Sequence, residues 1–345
     1  MTNLVFAQTN DPAGNQILVY DRAANGTLTL AETVDTGGKG GSRGPAGTSG
    51  PTPDPLASQG SLIYDTRHRV LIAVNAGSNT VSVLGLEEGG LRLRQVLASG
   101  GTFPVSVTIH GDLLYVLNAD AAGAITGYRI TDGQFYPIDD STRSLELPTA
   151  TGATPSVVHQ IGFTPDGHQL VITIRTSNGQ IDVFTVEPHG RPSATFTANP
   201  AGTPSPFGFT FDDHGHLVVT DSVNNALKTY TVHPNGTVTQ LASQSNGQLT
   251  TCWVAHTAGN FYVANPGSNT LTGYHIDPTG TPTVFTQTPT RGGPVDLVGT
   301  RDGEFLYVQV GLAGGVDGFH IKPDGTLAPV VTITVPSGAE GIAVS

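Results

Sequence analysis

The stretch FYVANPGSNTLTGY, residues 261–274, decides the fold of this chain, because variants of it recur along the whole sequence. In each variant an apolar run ends in a polar residue, a short turn follows, and a second run closes on an aromatic residue or Leu. The other copies are LIAVNAGSNTVSVL (71–84), LLYVLNADAAGAITGY (113–128), LVITIRTSNGQIDVF (170–184), LVVTDSVNNALKTY (217–230), LYVQVGLAGGVDGF (306–319) and, at the N-terminus, LVFAQTNDPAGNQILVY (4–20). The chain therefore contains seven related units.

The spacing of these units predicts a β-propeller. Most units follow one another at 44 to 46 residues, and two steps are longer, at 64 and 56 residues. A period in the forties with about four strands per unit is typical of a propeller blade. We therefore predict an all-β fold, a seven-bladed β-propeller with four-stranded antiparallel blades, as a single domain over residues 1–345. We expect GIAVS (341–345) to pair beside LVFAQTN (4–10), which closes the ring and removes exposed edges.

Composition excludes several classes of function. Charged residues make up 12% of the chain and the formal net charge is −12, with no basic stripe that would bind nucleic acid. No apolar run approaches the ~18 residues of a membrane span. The single cysteine, Cys252, excludes an internal disulfide framework, and no His pair has zinc-site spacing. The expectation is a monomer without metal or other cofactor that acts on a small molecule.

The cellular compartment stays open at this stage. The first predicted strand follows Met1 almost at once, so we expect either a cytoplasmic protein or an exported one whose signal peptide has been removed. The low Lys content and the abundance of Thr, Gly and Asn favour the extracellular or cell-envelope alternative.

Two connections exceed the repeat and lie on the same face of the predicted propeller. Residues 37–58 precede the second blade, and residues 137–155 precede the fourth. Both link the outermost strand of one blade to the innermost strand of the next. Loops of this length are usually functional or disordered, and loops on a rigid scaffold often carry the site.

A ring of polar residues is predicted on that face, at the end of the second strand of each blade: Asn10, Asn75, Asn118, Arg175, Asp221, Asn265 and Gln309. Asn and Asp at such positions often bond to their own turns, which is the structural alternative. Arg175 and Asp221 differ because a turn does not require a charge. They form either a structural ion pair or part of a substrate site. A calcium ion held by the Asn oxygens and Asp221 is a third possibility, against which Arg175 argues.

The innermost strands supply a second set of candidates. His159 is the residue there that can exchange a proton near neutral pH, although a structural bond to a backbone carbonyl is the alternative. His159 and Gln160 alternate, so we expect only one of them to face the channel. Trp253 with Phe207 is a candidate apolar wall, and Asp296 with Gln160 a candidate polar contact. Cys252 has no evident activating base, which favours a packing role.

Several stretches resemble bacterial seven-bladed propellers of the lactonase family. They are TNDPAGNQILVYDRAANGTLTLAETVDTGGKGG (9–41), FPVSVTIHGDLLYVLNA (103–119), GFTPDGHQLVIT (162–173), TCWVAHTAGNFYVANPGSNTL (251–271) and GAEGIAVS (338–345). The resemblance spans essentially the whole chain and implies the same fold. The family includes 6-phosphogluconolactonase-type enzymes and the fungal 3-carboxy-cis,cis-muconate lactonising enzyme.

The resemblance also implies where the site lies. The muconate enzyme uses a His at the start of an innermost strand, with arginines and a Glu around the channel mouth, and His159 in HQIGFTPDG is similar in context. Phe207 in SPFGF stands where that enzyme has an Arg, and its Glu falls near Asp221-Ser222. Arg175, from a different blade, is a candidate replacement for the lost positive charge. Because the chain has few cationic groups, a phosphosugar substrate is disfavoured.

Two classes of function follow. In the first, the chain is an enzyme that hydrolyses or forms a lactone or related cyclic ester. His159 moves the proton, Arg175 binds a carboxylate or oxyanion, and Asp221 orients either one. Substrate contacts come from Gln160, Phe207, Trp253, Asn118, Asn265, Asp296 and Gln309. In the second, the propeller is a non-catalytic module that binds a carbohydrate, peptide or protein.

Overall fold

Seven antiparallel sheets form a ring around a central channel in the computed structural model, which describes residues 3–42, 54–119, 122–147 and 157–345. The innermost strands contact one another in ring order, from each blade to the next. The prediction of an all-β, seven-bladed propeller is confirmed. No helix in the described ranges is long and apolar enough to cross a membrane.

The blades follow one another along the chain, each built from the innermost strand outwards. Blade 1 combines β29 (Ile342–Val344) with β1 (Leu4–Gln8), β2 (Gln16–Arg22) and β3 (Leu28–Asp35). Blade 2 contains β4 (Leu62–Asp65), β5 (Val70–Asn75), β6 (Thr80–Glu87) and β7 (Gly90–Ala98), and blade 3 contains β8 (Pro104–His110), β9 (Leu113–Asn118), β10 (Ala124–Thr131), β11 (Gln134–Pro137) and β12 (Arg143–Ser144). Blade 4 contains β13 (Val157–Phe163), β14 (Gln169–Arg175), β15 (Gln180–Thr185) and β16 (Thr197–Pro200), and blade 5 contains β17 (Pro206–Phe211), β18 (Leu217–Asp221), β19 (Ala226–Val232) and β20 (Val238–Ser245). Blade 6 contains β21 (Trp253–Thr257), β22 (Asn260–Asn265), β23 (Thr270–Ile276) and β24 (Pro282–Pro289), and blade 7 contains β25 (Pro294–Gly299), β26 (Phe305–Val310), β27 (Gly315–Ile321) and β28 (Leu327–Thr334).

The apolar runs of the repeat become the second strand of each blade. Every residue of β5 and β22 is buried, because a neighbouring blade covers each face of these strands. The outermost strands, such as β3 and β20, are largely exposed. The repeat is therefore a consequence of packing, since each unit buries its apolar faces only between two others.

Ring closure occurs as predicted. β29 pairs antiparallel with β1, with Phe6 opposite Ala343 and Ala7 opposite Ile342. A second contact joins blade 7 to blade 1 at its outer turn, where the Tyr307 hydroxyl donates to the Gly26 carbonyl at 2.7 Å. Gly26 has a φ of +83° and packs so tightly that a Cβ there would lie 2.3 Å from the Phe305 ring. Blade 7 repeats the arrangement towards blade 6, where Tyr262 donates to the Gly325 carbonyl at 2.7 Å.

The two long connections lie only partly within the described residues. Of 137–155, the described part runs to residue 147; β12 pairs with β10, and Leu145 and Leu147 pack into the core of blades 2 to 4. Of 37–58, residues 37–42 and 54–58 are described, and 43–53 lie outside the described ranges, as do 148–155. Because β12 pairs with β10, the blade 3 sheet has five strands instead of the predicted four.

Candidate active site at the channel mouth

A short segment of the first long connection crosses the channel. We call residues 54–59 the channel segment. The Trp253 indole donates to the Ser58 carbonyl at 2.7 Å, and the Ser58 hydroxyl donates to the Val105 carbonyl at 2.8 Å. The Gln59 side chain forms two hydrogen bonds of 2.9 Å with the backbone of Val254. Because these partners belong to blades 3 and 6, the channel segment spans the ring.

The channel segment separates two cavities. The first, of about 490 Å³, lies on the face of the long connections and is called the mouth cavity; its lining comprises Asp54, Ala57, Val157, His159, Arg175, Ser205, Phe207, Ser222, Thr250 and Cys252. The second, of about 470 Å³, opens on the opposite face among the turns that follow the innermost strands, and Gln59, Gln160 and Asp296 line it. Three predicted site residues, His159, Arg175 and Phe207, therefore meet in the mouth cavity.

His159 is placed by a β-bulge. The pairing of β13 with β14 passes from Val158 opposite Ile174 to Gln160 opposite Thr173, so His159 is the extra residue. Bulges redirect side chains and disturb the strict alternation of a strand. As a result His159 lines the mouth cavity while Gln160 lines the opposite one, and the expectation that only one of them faces the channel was wrong.

The environment of His159 determines its tautomer. Its Nδ1 lies 2.6 Å from the carbonyl oxygen of Ala57, which can only accept a hydrogen bond. The neutral ring therefore carries its proton on Nδ1, and Nε2 has the lone pair that can take a proton. The ring packs against Phe207 with centroids 4.2 Å apart, and Phe207 in turn meets the face of Trp253 edgewise at 4.8 Å. The structural bond and the acid–base function are thus compatible in one side chain.

Arg175 brings a positive charge to the same cavity. It is the last residue of β14 and pairs with Val157. Its Nε is buried, and within the described ranges nothing accepts a hydrogen bond from Nε. No carboxylate of the described part of the chain forms an ion pair with Arg175, although most other arginines there have one. An arginine stays charged at every physiological pH, so this guanidinium is suited to an external carboxylate or a developing oxyanion.

Asp221 does not join this pair, which corrects the sequence-based role. Its carboxylate lies 3.1 Å from the Lys228 ammonium and accepts bonds from the Thr203 hydroxyl at 2.5 Å and the Asn224 amide at 2.9 Å. Burial acts to raise the pKa of Asp221, but these hydrogen bonds and Lys228 outweigh it and lower the pKa. Asp221 is thus a buried, fully engaged carboxylate of blade 5 that does not line the mouth cavity.

The strand register explains why Arg175 lines the mouth cavity and Asp221 does not. In blades 3 to 7 the closing aromatic residue of the third strand pairs with one residue of the second strand. Four residues after that partner, the second strand reaches Asn118 in blade 3, Asp221 in blade 5 and Asn265 in blade 6. In blade 4 that position is Ile174, so Arg175 lies one residue later; in blade 7 it is Val310, so Gln309 lies one residue earlier. Because side chains alternate along a strand, the shift directs Arg175 to the opposite side from Asp221. The predicted polar ring therefore combined positions that are not equivalent.

Three other predicted members of the ring, Asn118, Asn265 and Gln309, are buried within the blades. Asn118 donates to the Ser99 carbonyl at 3.0 Å, and the Asn265 carbonyl oxygen accepts bonds from Asn246 and Thr251 at 2.9 and 2.8 Å. The Gln309 amide is fully buried without a hydrogen-bond partner in the described part of the chain. None of these three lines either channel cavity, so the geometry does not bring them to a substrate there.

Gln160, Asp296 and Trp253 are likewise engaged with the protein. Gln160 bonds to the Phe209 backbone at 2.6 and 3.0 Å, which ties blade 4 to blade 5. Asp296, in the bulge of β25, accepts bonds from Leu297 and Ile342, and burial raises its pKa to about 7. Trp253 is buried behind Phe207 and holds the channel segment. Of the proposed apolar wall, only Phe207 lines the mouth cavity.

Sequence reasoning missed other residues of the cavity. Asp54 enters from the channel segment, and the Ser222 hydroxyl donates to the Ser205 hydroxyl at 2.8 Å. Cys252 also lines the cavity, and burial, with the charge of Asp54, raises the pKa of its thiol well above the usual value, so it stays a thiol. Asp54 is the acidic residue of a Gly/Pro-rich loop, which is the one signal that pointed to it. Among the described residues, no group of three or more His, Cys, Asp or Glu is arranged to hold a metal.

Comparison with known proteins establishes the fold. A periplasmic gluconolactonase of Pseudomonas aeruginosa superposes with a TM-score of 0.77 at 17% identity, covering 100% of this chain and 99% of the other. A Lactobacillus plantarum protein reaches 0.77 at 19% identity with the same coverage, and a provisionally assigned 6-phosphogluconolactonase of Bacteroides uniformis reaches 0.76 at 17% with both chains fully covered. No protein-family model and no curated protein matches the sequence. At these identities the likeness shows the propeller alone.

Proposed function

We propose that this propeller hydrolyses a lactone or a related cyclic ester in the mouth cavity. The observation that carries the proposal is the placement of Arg175, which has no ion-pair partner among the described residues, in the same cavity as His159, whose bond to Ala57 leaves Nε2 as the basic atom. A positioned base and a positioned cation in one cavity are groups that can assist acyl transfer to water. The gluconolactonase and 6-phosphogluconolactonase names of the structural neighbours support this class of substrate.

In this proposal His159 is the general base. Nε2 removes a proton from a water molecule as the water oxygen attacks the carbonyl carbon of the lactone. The bond between Nδ1 and Ala57 keeps the ring in position and stabilises the imidazolium that forms. Arg175 stabilises the negative charge on the former carbonyl oxygen, or holds a carboxylate elsewhere on the substrate.

The cavity also limits the substrate. Arg175 is the one Lys or Arg among the described residues that line it, and Phe207, Val157 and Cys252 supply apolar surface. A dianionic phosphate is bound by several cations or backbone amides in most proteins. The cavity therefore favours a lactone with at most one carboxylate over a phosphosugar lactone.

A panel of lactones tests the proposal. Purified protein is mixed with γ- and δ-lactones, with and without a carboxylate, and acid release is followed with a pH indicator. We expect turnover that His159→Ala and Arg175→Ala reduce, while His168→Ala and Arg191→Ala, at exposed positions, retain it. Unchanged turnover in the first two variants would sink the assignment. Binding of a lactone by calorimetry without turnover would favour the non-catalytic alternative.

Two broader expectations accompany this proposal. We propose that the protein acts in the cell envelope or outside the cell, which the low Lys content and the periplasmic neighbour support. We also propose that it is a monomer. Fractionation of native cells and light scattering of the purified protein test the two statements, and a cytoplasmic pool or a stable dimer would contradict them.

A further inference from the structure

The mouth cavity contains a second group that can transfer a proton, Asp54. Its carboxylate accepts a hydrogen bond from the Ala57 amide at 2.8 Å, and the Ala57 carbonyl accepts the bond from His159 Nδ1 at 2.6 Å. Asp54 and His159 are therefore positioned by the two ends of one residue and line the same cavity. One residue, Ala57, thus holds both the carboxyl group of Asp54 and the imidazole of His159.

Asp54 is also hydrogen-bonded to a second carboxyl group, that of Glu340. Glu340 is fully buried and accepts bonds from the amides of Leu56 at 2.8 Å and Ser58 at 3.4 Å. Ionised carboxylates only accept hydrogen bonds, so two carboxyl groups bond to each other only when one carries a proton. The bond with Glu340 lowers the pKa of Asp54, so Glu340 is the member that donates the hydrogen bond, and Asp54 carries a proton of its own only through the burial that raises its pKa.

The surroundings keep a proton on Asp54 below about pH 7. Burial raises the pKa of Asp54 to about 7 against the hydrogen bonds of Ala57 and Glu340. Burial, together with the charges of Asp54 and Asp296, raises the pKa of Glu340 well above its usual range. The other titratable or charged groups of the cavity are His159, Arg175 and the protonated Cys252. A base and a protonated acid thus coexist in one cavity, which is the usual requirement for paired acid–base catalysis.

We propose that Asp54 is the general acid that protonates the leaving oxygen when the lactone ring opens, with Glu340 as its positioning residue. The inference rests on the proposed lactone hydrolysis and assigns the second proton transfer of that reaction. It makes the channel segment a catalytic element as well as a structural one.

The proton balance of the reaction is complete with these groups. His159 takes a proton from water, and the new bond between the water oxygen and the carbonyl carbon places the electron pair on the former carbonyl oxygen. The carbonyl re-forms as the ring C–O bond breaks, and the leaving oxygen takes the Asp54 proton. The imidazolium then returns its proton to Asp54, and the hydroxy acid releases its own proton to solvent.

The test compares two lactones that differ in the basicity of the leaving oxygen. An aliphatic δ-lactone releases an alkoxide, which requires protonation, whereas dihydrocoumarin releases a far less basic phenolate. We expect Asp54→Asn to lower kcat/KM for the aliphatic lactone by about 100-fold or more and for dihydrocoumarin by less than about 5-fold. Asn retains an acceptor for the Ala57 amide, so the fold of the segment is preserved. Asp182→Asn, at a buried carboxyl of blade 4, is the matched control.

Equal losses on both lactones would overturn the assignment of Asp54, because a merely structural role does not distinguish leaving groups. If the wild-type protein hydrolyses neither lactone nor any other of the panel, the proposed function itself fails. Glu340→Met supplies an independent readout. The hydrogen bond from Glu340 lowers the pKa of Asp54, so its loss should raise that pKa and move the alkaline limb of the kcat/KM profile to higher pH. An unmoved limb would contradict the role of the pair.

Discussion

His159 and Ala57 are joined by a hydrogen bond of 2.6 Å across 102 residues of chain. Ala57 belongs to the segment that crosses the channel, and His159 occupies the bulge at the start of blade 4. The bond sets the tautomer of the imidazole and holds the channel segment, so the same atom pair serves structure and proposed chemistry.

Two substitutions of His159 distinguish its structural hydrogen bond from its proposed function as a base. His159→Asn retains a donor that can reach the Ala57 carbonyl but has no basic atom, whereas His159→Ala loses both. We expect both variants to lower lactone turnover by about 10²- to 10⁴-fold. Only His159→Ala should lose about 1–3 kcal/mol of unfolding free energy, since it leaves a partly buried carbonyl unpaired. Urea unfolding monitored by tryptophan fluorescence measures the difference, and equal destabilisation would contradict the assigned bond.

Arg175 is expected to matter for substrate and not for stability. Arg175→Ala removes no ion pair of the described residues, so unfolding free energy should change by no more than about 0.5 kcal/mol. Loss of a charge-assisted contact should lower kcat/KM by about 10- to 100-fold. Arg22→Ala is the opposite case, because Arg22 lies 2.6 Å from Asp302 and over the Phe305 ring. Arg22→Ala should destabilise the protein and leave turnover intact. If Arg22→Ala lowered turnover and Arg175→Ala lowered stability instead, the structural role of Arg22 and the substrate role of Arg175 would both be contradicted.

Trp253→Phe tests whether Trp253 is a structural residue. The indole N–H bonds to the Ser58 carbonyl, and Phe lacks that donor. We expect a loss of about 1–3 kcal/mol of unfolding free energy, because the carbonyl stays buried without a partner. KM should stay within twofold of wild type, an estimate of about one-half kcal/mol in binding. A large rise in KM with unchanged stability would instead show direct substrate contact.

Asp182 should make stability depend on pH. Burial raises its pKa to about 7, against one hydrogen bond from Gln180, and its second oxygen has no partner in the described part of the chain. A raised pKa means that the folded state holds the proton more tightly, so stability is lost as pH rises from the unfolded value near 4 to about 7. Asp182→Asn should therefore stabilise the protein by on the order of 3 kcal/mol at pH 8.

The same substitution should have little effect near pH 4, where Asp182 is protonated in the folded state. Thermal melts of wild type and Asp182→Asn across this range give the comparison. A difference that does not grow between pH 4 and 7 would contradict the buried, poorly compensated carboxyl.

Gly26→Ala should weaken ring closure. Gly26 and Gly215 share a φ of +83°, but a Cβ at Gly215 meets nothing within 4 Å, whereas at Gly26 it would strike the Phe305 ring. We expect Gly215→Ala to cost about 1–2 kcal/mol through backbone strain alone. Gly26→Ala should cost a further 1–3 kcal/mol, roughly the penalty of overpacking. Equal losses in unfolding free energy would show that the closure is looser than described.

The sequence alone was sufficient for the architecture and for three residues that line one cavity. A period of about 45 residues reflects local patterns of apolar strands and turns, and the unpaired strand at each terminus required closure. His159, Arg175 and Phe207 were selected from those patterns, and they do share a cavity. The departures from the repeat in blades 4 and 5 thus led to residues that share one cavity.

The tertiary structure alone decided which candidates face that cavity. Side-chain direction changes with a shift of one residue, so aligned repeats could not show that Arg175 and Asp221 point to different sides, or that a bulge turns His159 and Gln160 to opposite cavities. Asp54 and Glu340 lie 286 residues apart and meet only because the channel segment folds back across the closed ring. Contacts of that kind depend on the path of an irregular loop, which no periodic pattern encodes.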